Sequence, residues 1–378
     1  MEHASSRTLL TADAGWPSTL HAYITLANAA YIPGVRALAA SLADVGARWP
    51  LVVIHADPAE ACRGQSCLTR DANERRLASA IRCLNATTHP TALVNVPSIV
   101  HDEHARLTRF STTFIKLNAF RAPYASVVVV DADLLVLRNL DELFDLPFVE
   151  DALQTNSERD MVEVIDMATG VRSALPKTDD PARAYGADDA YASLAARFHL
   201  HAATELGWGC HTRACHMTYQ SGTKFNTGVM ALRPDATAFA AMLRALQSVP
   251  SSDGGDQGFL NEYFLRAARA AHGANATLKG ILGHTPLPRR YNRMFQLSTV
   301  LRPMIANATA RQINVSGLHL IGGTKPWLSG KPLSGSDLVG EAQCRTPSRF
   351  GTEAADWTFA EVLERYYGRD FGRSSWRS

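Results

Sequence analysis

Asp131 and Asp133, separated by one residue, follow directly on the run Ser126-Val-Val-Val-Val130. Ligands of open α/β sheets bind outside the carboxyl ends of the strands. Paired carboxylates at such a place form a hard oxygen site for Mn2+ or Mg2+. The rival reading of any D-x-D is that one Asp caps the next turn while the other is solvated. Four consecutive valines imply a strand buried on both faces, which raises the weight of the crevice reading. His319 stands late in Gly317-Leu-His-Leu-Ile-Gly-Gly323. It reads either as a core histidine or as a third ligand, an imidazole beside two carboxylates that tilts selection toward Mn2+. Gly322 and Gly323 would let backbone N–H groups approach a phosphate, with Lys325 as the cation. Otherwise Lys325 is a surface lysine. Asp256 and Gln257, in Gly254-Gly-Asp-Gln-Gly258, stand where a helix starts. Asp256 is then either an N-cap or a group turned toward a polar substrate. Asn226, in Phe225-Asn-Thr-Gly228, divides in the same way between a turn residue and a substrate contact. Lys116 lies on a helix ahead of the valine run and faces either a diphosphate or solvent.

The elements that must position these groups alternate between extended and helical patterns. His21–Ala27 reads as a strand. Val35, Leu38, Ala39, Leu42 and Val45 form a helical stripe that Gly46 closes. Leu51–Ile54 is a second strand, followed by a polar helix around Asn73–Leu84 and a strand at Ala92–Val96. Such alternation predicts a parallel sheet with helices on its faces. After the valine strand, Leu134–Leu137 continues extended and Asn139–Phe144 reads as a short helix. Phe225–Leu232 is the next strand, with a helix near Ala236–Leu246, another after Gly258, and a last extended run at Ile313–Ile321. The domain reading is a flexible N-terminus over 1–20, one domain over 21–330 with an insertion or lid at 147–219, and a C-terminal tail over 331–378 with a short helix.

Composition narrows the partners. In 378 residues, 38 Lys+Arg oppose 36 Asp+Glu for a net charge of +2, with 46% apolar and 20% charged residues. That balance lacks the clustered basic excess of a protein that binds nucleic-acid polymers. No apolar run of about 18 residues exists to span a membrane. Met1–Leu20 offers no apolar signal core, which points to the cytoplasm. Against this stand four N-x-S/T sequons (Asn85, Asn275, Asn307, Asn314) and the evenly spaced pairs Cys62/Cys67 and Cys210/Cys215 among six cysteines, which suit a Golgi lumen. The cysteine spacing does not suit structural zinc.

Taken together, the blocks resemble glycosyltransferase family 8, the glycogenin-like enzymes of the GT-A fold, from about Tyr23 to Trp327. Tyr23–Leu26 with Tyr31 resembles the family's nucleotide-binding opening, Lys116 its T-K-L block, and Asp131–Leu140 its D-A-D block. Phe225–Gly228, Asp253–Gly258 and His319…Gly322…Lys325-Pro-Trp327 resemble the remaining blocks, in the family's order. The resemblance implies an α/β fold of GT-A type, a single Rossmann-like sheet with helices on both faces and D-x-D at a strand end. It implies a retaining, Mn2+-dependent transfer of a hexosyl-type sugar from a UDP-sugar to a hydroxyl of a carbohydrate, lipid or protein. By the same likeness Asp131, Asp133 and His319 hold the metal, with Mg2+ as a substitute. Tyr31, Lys116, Asn226, Gly322 and Lys325 contact the donor, and of the catalytic pair Asp256 and Gln257, one or the other stabilises positive charge at the anomeric carbon during front-face attack. Two departures stand out. The stretch Tyr291–Ile305, which resembles the self-glucosylated segment of glycogenin, has its only tyrosine at its start, which argues against self-glucosylation. The 147–219 segment is unlike glycogenin and is placed to shape an acceptor pocket. A sugar-phosphate nucleotidyltransferase would want a Gly-rich basic loop after the first strand, and Asn28–Pro33 offers none. Intact Asp131, Asp133 and His319 argue against a module that only binds.

Overall fold

The computed structural model describes residues 19–27, 31–56, 86–91, 94, 108–146, 161–165, 172–176, 200–204, 224–251, 253–272, 287–296, 307, 309–312, 314–322, 325–327 and 358–367. The strands are β1 (His21–Leu26), β2 (Leu51–Ala56), β3 (Ala86–Thr91), β4 (Ser126–Val130), β5 (Leu134–Val136), β6 (Met161–Ile165), β7 (Arg172–Pro176), β8 (Leu200–Thr204), β9 (Phe225–Leu232), β10 (Arg293–Gln296) and β11 (Gly317–Ile321). The α-helices are α1 (Ile32–Asp44), α2 (Ala236–Ala245), α3 (Asp256–His272) and α4 (Phe359–Tyr367). A 3₁₀ helix covers Thr108–Arg121, and shorter ones cover Asp141–Asp145 and Arg289–Asn292.

Six strands form the central sheet in the order β3-β2-β1-β4-β9-β8. The first four are parallel, as strand–helix alternation predicts, whereas β9 and β8 run antiparallel. A parallel neighbour for β4 would need a covering crossover helix. After β4 the chain instead passes through Asp131-Ala-Asp133 into β5, which belongs to a separate sheet ordered β10-β11-β5. The expected single sheet is thus a central sheet plus this smaller one, with β6 and β7 as an additional hairpin. The 147–219 segment contributes β8 to the central sheet's edge.

Two local readings are sharpened. The third strand of the central sheet is Ala86–Thr91, where Pro90 is tolerated on an edge strand and Thr87, Thr88 and Thr91 favour extension, while of the expected strand Ala92–Val96 all but Val94 lies outside the described residues. The last strand begins at Gly317 rather than Ile313, since Asn314 turns the chain with φ 51°. The expected helix around Asn73–Leu84 and all six cysteines lie outside the described residues, as do Gly323 and the sequons Asn85 and Asn275; Asn307 and Asn314 are exposed.

Alternation of side chains along the buried strands sorts them to two faces. Ile24, Val52, Val127, Val129 and Met230 meet Phe114, Leu117 and Phe120 of the 3₁₀ helix together with α2 and α3. Tyr23, Val53, Val128, Val130 and Val229 meet Val35, Leu38 and Leu42 of α1. Helices therefore cover both faces. The expected tail helix α4 is a core element: Phe359, Val362 and Leu363, all 0% exposed, pack on Leu135, Leu318 and Leu320 of the smaller sheet. Tyr366 O–H donates to Asp44 Oδ2 at the end of α1 (2.9 Å), beside Arg365.

Candidate functional site

The two sheets meet at the D-x-D. Asp131 N–H donates to Gly228 C=O (2.9 Å) as β4 ends against β9, and Leu320 N–H donates to Asp133 C=O (3.0 Å) as β5 begins against β11. Antiparallel pairing of His319 with Leu134 brings the imidazole over the same junction. A ligand atom from each of Asp131, Asp133 and His319 falls within a 4.8 Å span. His319 Nε2 lies 3.2 Å from Asp133 Oδ1 and 3.8 Å from Asp131 Oδ2. These three were grouped from sequence, and the fold brings them together.

Two buried lysines balance the carboxylates. Lys116, on the 3₁₀ helix, places Nζ 2.7 Å from Asp131 Oδ1 and 3.0 Å from Asp256 Oδ2, and donates to Thr227 Oγ1 (3.2 Å). Burial would pull its pKa down, but the Asp131 and Asp256 carboxylates outweigh that and raise it. Lys325 is buried rather than on the surface and donates to Asp133 Oδ2 and to Leu320 C=O (2.6 Å). Burial would raise the Asp133 pKa, yet His319 and then Lys325 hold it well below the usual carboxylate range. At Asp131 desolvation prevails, with Asp133 and Asp256 adding to it, so its pKa is raised in spite of Lys116.

Asp256 begins α3 but does not cap it. Asp253 Oδ1 takes that part, accepting from Gly255 N–H (2.8 Å) and Gly258 N–H (3.0 Å). Asp256 is left to accept from Lys116 and from Thr227 Oγ1 (3.0 Å). Gln257 Oε1 accepts from Asn226 Nδ2 (2.8 Å) and Thr227 N–H (3.2 Å). Asn226 Oδ1 accepts from Gly228 N–H (2.8 Å) and from Asn292 Nδ2 (2.7 Å), and His319 Nδ1 meets Asn292 Oδ1 at 2.8 Å. Asn226, Asp256 and Gln257 thus join one network with the metal candidates. Asn292 and Thr227 complete it and were not singled out from sequence; the one signal for Asn292 is its place immediately before a strand, which proves to be parallel to the one carrying His319.

Tyr31 and Gly322 frame the site. Gly322 takes φ 94° directly after β11, a conformation that L side chains rarely adopt. Tyr31 packs edge-on against Trp327, with ring centroids 5.7 Å apart. A Cβ on Gly34 would stand 2.4 Å from the Ala132 carbonyl oxygen and 2.8 Å from Trp327, so α1 starts pressed against the D-x-D turn.

The donor set fits a divalent cation. Asp131, Asp133 and Asp256 outnumber Lys116 and Lys325 by one negative charge, and the ligand atoms are two carboxylate oxygens and an imidazole nitrogen, a set suited to Mn2+ or Mg2+.

A parallel half, joined through D-x-D at a strand end to an antiparallel half and a smaller sheet, is an arrangement of GT-A type. The model for "Glycosyl transferase family 8" matches residues 27–331, and the chain belongs to that family. Among its relatives is a glycogenin of Neurospora crassa, 23% identical over 81% of this chain and 31% of that protein. Another is inositol phosphorylceramide glucuronosyltransferase 1 of Arabidopsis thaliana, 23% identical over 83% of this chain and 43% of that protein. The chain therefore spans less than half the length of these relatives. Among solved structures it is similar to the galactosyltransferase LgtC in complex with donor and acceptor sugar analogs, with TM-score 0.37 and 15% identity over 94% of this chain and 98% of that one. No helix among the described residues is long and apolar enough to cross a membrane.

Proposed function

We propose that the chain transfers a hexosyl-type sugar from a UDP-sugar to an acceptor hydroxyl, with retention at the anomeric carbon and with Mn2+ as the working cation. The observation that carries this reading is the meeting of Asp131, Asp133 and His319 at the junction of two sheets, flanked by two buried lysines. A divalent cation held by those three residues would act as a Lewis acid toward the departing diphosphate. Lys325 and the backbone at Gly322 bind the diphosphate from the β11 side, and Lys325 offsets the charge that grows on the leaving group. Tyr31 stands at the nucleoside end.

On the opposite side, Lys116 holds Asp256 and Asp131 apart in a fixed orientation. Asp256, held from two sides by Lys116 and Thr227, presents fixed negative charge toward an anomeric carbon that becomes cationic. Gln257 orients Asn226 and the β9 backbone through its Oε1, and Asn226 carries the sugar hydroxyls. The relatives are named for transfers of different sugars, and the acceptor is a carbohydrate, lipid or protein hydroxyl.

Screening UDP-sugars for Mn2+-dependent UDP release, with water as the default acceptor, tests the reading. The Asp133→Ala variant is expected to stay folded and to lose release of UDP by at least a hundredfold. Full release in that variant, or equal release with EDTA present, refutes it.

A further inference from the structure

The hydrogen bonds around His319 have only one consistent direction. Two backbone N–H groups, which can only donate, anchor the chain of side-chain amides at separate points. Gly228 N–H points at Asn226 Oδ1, and Thr227 N–H points at Gln257 Oε1. Each fixes the oxygen end of one amide, and the Asn226 Nδ2 to Gln257 Oε1 bond agrees with both. Because Asn226 Oδ1 is an acceptor, Asn292 must approach it with Nδ2, and Asn292 Oδ1 is left facing His319 Nδ1. Nδ1 must therefore carry a hydrogen.

We propose that Asn292 is a positioning residue that accepts the His319 Nδ1–H and so leaves Nε2 as the nitrogen that faces Asp131 and Asp133 and is offered to a cation. The inference rests on the metal reading above and deepens it. Steric contact holds the ring in the same pose: a Cβ at residue 228 would stand 2.3 Å from Cε1 and 2.5 Å from Nδ1 of His319, so only glycine leaves room for the imidazole edge there. Asn292 is 2% exposed and comes from the 3₁₀ turn before β10, so the relay is built on a rigid element rather than a mobile loop. Without this acceptor nothing holds the ring by its far nitrogen, and Nε2, 3.2 Å from Asp133 Oδ1, can be tied to that carboxylate in the cation's place. Hydrogen-bond partners of metal-bound histidines commonly account for 10–100-fold in metal affinity.

The test uses the full chain with labelled histidine. Long-range proton–nitrogen NMR on the metal-free wild type, with His319 assigned by comparison with His319→Gln, is expected to show a proton on Nδ1. In Asn292→Leu the Nδ1–H signal is expected to lose the shift of a hydrogen-bonded proton, and Mn2+ affinity, read by electron paramagnetic resonance of the free ion, to fall about 10–100-fold. In Asn292→Asp, which still offers an oxygen to Nδ1 but gives up the donor to Asn226 Oδ1, the proton stays on Nδ1 and Mn2+ affinity falls less than in Asn292→Leu. A bare Nδ1 in the wild type, or an Asn292→Leu variant that folds and binds Mn2+ like wild type, overturns the proposal. Should Asn292→Leu fail to fold, the wild-type spectrum and Asn292→Asp decide the question. A wild type that binds no Mn2+ refutes the metal reading instead, and its Nδ1 spectrum still tests the relay.

Discussion

Gly228→Ala adds one methyl group at the most crowded point of the site. The new Cβ would stand 2.3 Å from His319 Cε1, 2.5 Å from Nδ1 and 2.7 Å from Asn226 Oδ1, whereas ordinary contacts begin at 3.4 Å. The ring must therefore yield by about 1 Å, or β9 must separate from β11 by as much. Gly228 is absent from the residues with positive φ, so backbone conformation adds nothing and the cost is one of contact alone. Overpacking a buried site costs about 1–3 kcal/mol. The larger effect is functional, because a misplacement of about 1 Å can cost about a hundredfold in rate. Gly46→Ala is the matched control. There a Cβ meets nothing within 4 Å, but φ is 67°, so the same chemical change costs about 1 kcal/mol of backbone strain far from the site. Urea unfolding, Mn2+ titration and UDP release measured on both variants separate the two effects. Gly46→Ala is expected to lose stability with Mn2+ affinity and turnover intact. Gly228→Ala is expected to lose both by at least tenfold. A Gly228→Ala enzyme with wild-type Mn2+ affinity and turnover would show that the imidazole pose does not matter, and the reasoning would fail.

Lys116→Met leaves Asp131 and Asp256 facing each other without their shared cation; removing one partner of a buried ion pair costs about 3–5 kcal/mol, readable by urea unfolding. Mn2+ is expected to restore part of that loss, a gain seen as a larger shift of midpoint than in wild type. Phe359→Ala removes a fully buried ring between α4 and the smaller sheet and should cost about 3–5 kcal/mol, while turnover at low temperature persists. Mn2+ at one hundred times its Kd is expected to raise the wild type's unfolding free energy by about 2.7 kcal/mol, and Asp133→Ala should lose that increment in calorimetry.

The parts of the site that lie within a single sequence block were legible, and those that arise from pairing between blocks were not. Asp131 and Asp133 announce themselves because a run of valines ends in two charges. His319 does so because an imidazole interrupts an apolar run. Asn292 gives no such sign, since its tie to His319 comes from parallel pairing of β10 and β11 across residues that no periodicity connects. Lys116 and Lys325 read in sequence either as diphosphate contacts or as solvent-facing lysines, and the carboxylates at the sheet junction account for their burial. Strand direction at β9 was not legible because an apolar run reads the same either way; the connection that follows β4 settles it. β8, an edge strand of Leu-His-Ala-Ala-Thr, carries too little apolar character to rise above its surroundings.

The docking of α4 makes the site depend on widely separated parts of the chain. Tyr366 reaches Asp44 across 322 residues of chain, and Phe359 closes over strands that flank both Asp133 and His319. A nascent chain that has made β1 to β4 already holds both aspartates, yet it lacks the imidazole and the helix that backs it. Closing so long a stretch of chain costs entropy, and the packing of Phe359, Val362 and Leu363 on the sheet that carries His319 offsets it. A chain cut before residue 359 is expected to leave Leu135, Leu318 and Leu320 uncovered beside the three candidate ligands.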